Sequence, residues 1–239
     1  MNTRKIPLLL SLITIFISGC SSSSSGDNTG PVIQSPTPVT LPIQLFADEY
    51  FTQGYLESWG SIEFYDSLIG RQKNVGTLIV ETDVTSLFNG QASIPVDQNW
   101  SYINTDTNAS YSISDSFYFS ENAADRRLLG FENNVNGVIY LATSTTAIPV
   151  FSTIGTTGDI GEYSGSDDTN VVATWELRDA FNGYAYLDIS FAYYDSDGVL
   201  IKRRTFTSRI DDTGFSVFYQ LDETSFGHTT VLFTSDRQS

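Results

Sequence analysis

The chain offers little for covalent chemistry, since its 239 residues include one cysteine, Cys20, and one histidine, His228. A serine or cysteine nucleophile activated by imidazole would have to use His228, and no Gly-x-Ser-x-Gly elbow presents a serine to it. Zinc sites need clusters of His and Cys, which the sequence does not hold. Asp195 and Asp197 before Gly198 share the opening of a calcium loop but lack its third acid and terminal Glu, so they read as turn residues. Gly155, Gly158, Gly161 and Gly165 have neither the dinucleotide spacing nor a phosphate-loop lysine. No catalytic residue, metal ligand or cofactor is therefore expected. Carboxylates remain: 28 acidic residues allow a facing pair of the kind that hydrolyses glycosides, a pairing set in space rather than in sequence.

Two groups suit binding better than reaction. Lys202, Arg203, Arg204 and Arg209 gather on one expected strand. They read either as a stripe that contacts a carboxylate ligand or lipid head group, or as cross-strand partners of Asp188, Asp211 and Asp212. Trp100, in Asp97-Gln98-Asn99-Trp100 and next to Tyr102, has the polar setting of an exposed ring that stacks on a sugar. Most such rings are buried instead.

Cys20 lies behind Arg4 and Lys5, an apolar run from Ile6 to Ile17, and the small residues Ser18 and Gly19. Twelve residues of helix rise only ~18 Å, against a hydrocarbon core of roughly 30 Å, so the segment reads as a processing signal rather than a permanent span. The quartet Ile17-Ser18-Gly19-Cys20 resembles the lipobox of bacterial lipoproteins, a resemblance confined to residues 1–20. It implies a diacylglyceryl group on the Cys20 thiol, cleavage before Cys20, and acylation of the new amine with a palmitate-type chain. Several acyl chains anchor a protein stably where one does not. Ser21 stands where Asp would favour the inner membrane, which implies an outer-membrane lipoprotein facing the periplasm or the cell surface.

From Cys20 to Pro42 serines, glycines and prolines dominate, a composition that buries no core and reads as a tether. Residues 43–239 have the size of a single domain. Loss of Arg4 and Lys5 with the signal leaves ten basic against 28 acidic residues, a formal charge of −18. Such a surface repels phosphates, so nucleic acid is not an expected partner.

Those binding groups must be placed by strands. Apolar and polar residues alternate in Ala173–Arg178, Leu187–Tyr193 and Phe215–Leu221, the period of half-buried strands. Asn182-Gly183, Asp195–Gly198 and Asp211–Gly214 suit hairpins with glycine at positive φ, and Asn89-Gly90 and Asn136-Gly137 punctuate the apolar segments Val75–Val80 and Val138–Ala142. A type I turn closing on Gly198 pairs Asp195 with Val199, and uninterrupted pairing then sets Tyr193 against Ile201, Phe191 against Arg203 and Ser190 against Arg204. Ser144–Asn170 reads as a long loop or as hidden short strands. Phe51, Tyr55 and Trp59 recur at helical spacing, which predicts a short helix before a strand at 61–66.

The sequence thus predicts an all-β antiparallel meander, forming an up-and-down barrel or a two-layer sandwich, on a lipid anchor. The expected role is non-catalytic: holding an envelope protein or a small apolar ligand. A carbohydrate-binding module using exposed aromatics, with a glycan as partner, and a carboxylate glycoside hydrolase are the alternatives.

Overall fold

Alternating side chains give each strand one apolar and one polar face, and a sheet of such strands hides the apolar face by curling on itself. The computed structural model describes residues 39–43, 56–60, 62–68, 70–72, 74–214 and 216–234. Cys20, the signal segment and the tether before Val39 lie outside them. Among the described residues the chain is all-β, with one 3₁₀ turn at Ala123–Asp125. The strands are β1 (Thr40–Leu41), β2 (Leu56–Gly60), β3 (Ile62–Asp66), β4 (Gly70–Gln72), β5 (Asn74–Thr82), β6 (Ser86–Phe88), β7 (Gln91–Asn104), β8 (Ser110–Ser120) and β9 (Leu128–Asn133). There follow β10 (Val138–Thr145), β11 (Ser152–Thr153), β12 (Thr157–Gly165), β13 (Asn170–Asp179), β14 (Ala185–Tyr194), β15 (Leu200–Ile210), β16 (Ser216–Ser225) and β17 (His228–Thr234).

From β7 to β17, with β11 set aside, sequential strands pair antiparallel as an up-and-down meander. Closure comes from the N-terminal strands. β2 pairs with β5, whereas β3 pairs with β4 on one side and with the last strand, β17, on the other. The first and last members of the meander therefore meet at β2 and β3, and the sheet forms a nearly closed barrel. Its outer wall on β7 and β8 mixes polar Asp97, Asn99, Ser114 and Ser116 with Pro95, Ile103 and Tyr118. Ser114 Oγ donates to Asn99 Oδ1 at 2.6 Å and Ser116 Oγ donates to Asp97.

Antiparallel order gives the barrel two ends. At one, tight turns join β7 to β8, β9 to β10, β12 to β13, β14 to β15 and β16 to β17. At the other, longer connections are crossed by β1, which pairs with β11 through Thr40↔Thr153 and Leu41↔Ser152. Ile154 N–H also donates to Val39 C=O at 3.1 Å. Leu41 and Ile43 are fully buried there. Pro38–Ser239 forms one unit, so Val39–Pro42, expected at the end of the tether, belong to the domain as a strap across this end.

Two expectations need correction, and a third is decided. The turn at Gly198 pairs Asp195 with Val199 as predicted, Asp195 N–H donating to Val199 C=O at 3.0 Å, with Gly198 at φ 77°. A bulge between Tyr193 and Tyr194 then shifts the ladder by one, so Tyr193 faces Lys202 and Phe191 faces Arg204. Trp59 lies on strand β2 rather than on a helix, because residues 56–60 pair along β5; residues 46–55 of the expected helix lie outside the described ones. Of the two readings of Ser144–Asn170 the structure takes the hidden strands: β11 and all of β12 lie within it, the alternation of β12 masked by Gly158, Gly161 and Gly165.

Candidate functional site

The barrel lumen divides into an apolar half under the strap and a charged half toward the tight turns. Inward positions follow from register: Trp100 pairs with Leu78 and Ile113, and Phe206 pairs with Ile189 and Leu221. Two apolar clusters fill the lumen, with Phe119 and Phe206 packed against both. Between them a cavity of about 60 Å³ remains, with Trp100, Phe117, Trp175, Ile189 and Phe206 among its walls. Ile43 of the strap and Ile148 also line it, and its polar edge is made by Gln98, Ser208 and Gln220. No charged residue lines it among the described ones. A mostly apolar void with a polar edge suits an apolar guest that carries one polar group.

One wall depends on glycine. Gly158 sits opposite Trp175, and a Cβ added there would stand 2.5 Å from the indole Nε1. The missing side chain is what lets this ring lie flat against β12.

Toward the turn end, the rings of Phe117, Phe191 and Phe206 meet one another edge-on or tilted at 5.5–5.8 Å between centroids. One inward step beyond Phe117 and Phe206 lie Asp115 and Arg204. Arg204 Nη1 donates to both carboxylate oxygens of Asp115 at 3.0 Å, and Arg204 Nε donates to Glu223 Oε2 at 2.6 Å. The Arg204 and Asp115 side chains are only 6% and 3% exposed. Burial pushes the Asp115 carboxyl above its ordinary value, while the Arg204 guanidinium draws it back. Burial opposes the charge on Arg204, yet Asp115 and Glu223 together hold that guanidinium above its usual value. Lys202 lies 4.3 Å above the Tyr193 ring, its amine lowered by burial and by Arg204.

The basic residues of β15 therefore do not form a stripe. Lys202 and Arg204 point into the lumen, whereas Arg203 is exposed and Arg209 lies over Tyr184 on the outer wall. The acids on Arg204 also differ from those expected. Asp188 is paired with Arg178 and accepts from Thr207 at 2.6 Å, and Asp211 accepts from Thr213 within its own turn. Asp195 likewise accepts from the backbone N–H groups of Asp197 and Val199.

Trp100 and Tyr102 are not exposed as their polar neighbours suggested: they are 2% and 7% exposed. Alternation along the fourteen residues of β7 sends Asp97 and Asn99 out and the two rings in. His228 Nε2 lies 2.9 Å from Asp66 near the turn end. Sequence reasoning missed Asp115, Glu223 and the strap. Arg204 left one signal, the parity it shares with Phe206, Ser208 and Ile210. In comparison with known proteins, no family model, no curated sequence and no solved structure matches the chain.

Proposed function

We propose that this is a lipid-anchored protein of the cell envelope, held at the outer membrane through Cys20, that binds a small apolar molecule inside its barrel without chemically changing it. The observation that supports this reading most is the uncharged cavity walled by Trp100, Phe117, Trp175 and Phe206. Small-molecule sites are concave, mostly apolar and largely preformed, with a few polar groups that orient the guest. Here Gln98, Ser208 and Gln220 supply that edge. A charged guest would leave water without an opposite charge to meet it, at a cost of several kcal/mol, so a neutral one is favoured. Trp100 and Tyr102 point inward, which gives the sugar-stacking alternative no platform at these two rings.

The test uses the full chain in detergent, titrated with bromoethane, small enough for the cavity and carrying a heavy atom that quenches tryptophan. Saturable quenching is expected from Trp100 and Trp175. Ser208→Phe, which fills the cavity, should remove the saturable component while leaving partition into micelles. Quenching that is linear in the wild type, or unchanged by Ser208→Phe, would overturn the proposal.

A further inference from the structure

We infer that the strap Val39–Ile43 is the gate through which a guest reaches the cavity. The inference rests on the binding reading above and adds to it a route.

The lumen has two ways out, and they differ in what must be broken. Toward the tight turns, a guest would pass the rings of Phe117, Phe191 and Phe206 and then the Arg204 cluster, where one buried guanidinium holds Asp115 and Glu223. Separating such a pair leaves uncompensated charge inside the barrel. Toward the other end stands β1, a strand of two residues that, among the described residues, pairs with β11 alone, the two forming a sheet apart from the barrel. Ile43 is both a wall of the cavity and part of this segment, so lifting the strap opens the void directly. What resists is the burial of Leu41 and Ile43 and the few hydrogen bonds along Thr40↔Thr153. The buried cation at this end, Arg126, donates to Ser120 C=O on β8. Short, weakly paired segments open locally at far lower cost than the body of a sheet. The strap is therefore the cheaper door.

A lock tests this. Thr40 and Thr153 face each other with their hydroxyl oxygens 3.4 Å apart, and the neighbouring Val39–Ile154 pair takes the backbone hydrogen bond. Thr40 and Thr153 therefore form the closely spaced, non-hydrogen-bonded kind of pair that a disulfide fits. In the full chain carrying Thr40→Cys and Thr153→Cys, with disulfide formation verified by mass, stopped-flow uptake of bromoethane should be at least tenfold slower when oxidised. Dithiothreitol should restore the wild-type rate, and each single cysteine variant should match the wild type under both conditions. Leu41→Ala, which loosens the strap without touching the meander, should take up the probe several-fold faster. Equal rates in the locked and reduced forms, or an unchanged rate in Leu41→Ala, would show entry by another route and overturn the gate. Absence of saturable quenching in the wild type would instead overturn the binding reading beneath it.

Discussion

Arg204 on β15 and Asp115 on β8 meet across the barrel lumen, 89 positions apart in sequence, with one guanidinium nitrogen 3.0 Å from both carboxylate oxygens. The pair is deeply buried, and burial makes its removal asymmetric. Asp115→Ala leaves the guanidinium with Glu223 alone and should lower unfolding stability by about 3–5 kcal/mol. Replacing both partners, as Asp115→Leu with Arg204→Met, should cost much less, because no orphaned charge remains. Urea unfolding of the two variants beside the wild type measures the difference.

Gly158→Ala should displace the Trp175 indole, since the added Cβ would lie 2.5 Å from its Nε1. Overpacking of this kind costs about 1–3 kcal/mol. A shift in tryptophan emission together with a lower melting temperature is expected. An unchanged spectrum would mean that β12 yields instead of the ring.

Alkaline pH should unfold the barrel through its inner tyrosines. Burial first, then Tyr111 and Glu223, push the Tyr102 hydroxyl up to about 12, and burial raises those of Tyr163 and Tyr193 as well. An acid whose folded pKa exceeds its unfolded value contributes stability that is complete below the unfolded value, near 10, and is lost as pH rises through the folded value. The urea midpoint should accordingly fall between pH 10 and about 12. Absorbance of phenolate at 295 nm should then rise in step with loss of structure for these rings.

Cys20→Ser tests the anchor apart from the cavity. Cells fed radiolabelled fatty acid should label the wild type and leave the variant unlabelled, and only the wild type should sediment with membranes. Label persisting in Cys20→Ser would place the lipid elsewhere.

The C-terminal meander was legible in sequence because Trp175, Leu177, Leu187 and Phe191 alternate with polar residues, and alternation is what a half-buried strand requires. Barrel closure was not, since the pairing of β3 with β17 joins residues 164–172 positions apart and leaves no local trace. The same distance hid the site. Asp115 and Arg204 are each unremarkable on their own strands, and a one-residue bulge at Tyr193 was enough to reverse which cations face inward. Trp100 misled because its polar neighbours describe the outer wall of β7 while the ring belongs to the inner one. Glycines did the same in β12, where missing side chains erased the pattern of a strand that those very glycines allow to pack.

The seam between β3 and β17 also sets a timetable. Synthesis delivers the chain from its N-terminus, so the strap and β3 emerge first and wait for partners that come late: Ser152–Thr153 for the strap, and Thr230–Thr234 for β3. Until those arrive, the growing meander carries two raw edges. Because the ring is sealed by the final ladder, a nascent or truncated chain lacking β17 is a curved ribbon with open flanks, prone to capture by proteases or by its own copies. Cellular quality control would thus sense the loss of β17 as loss of the whole vessel.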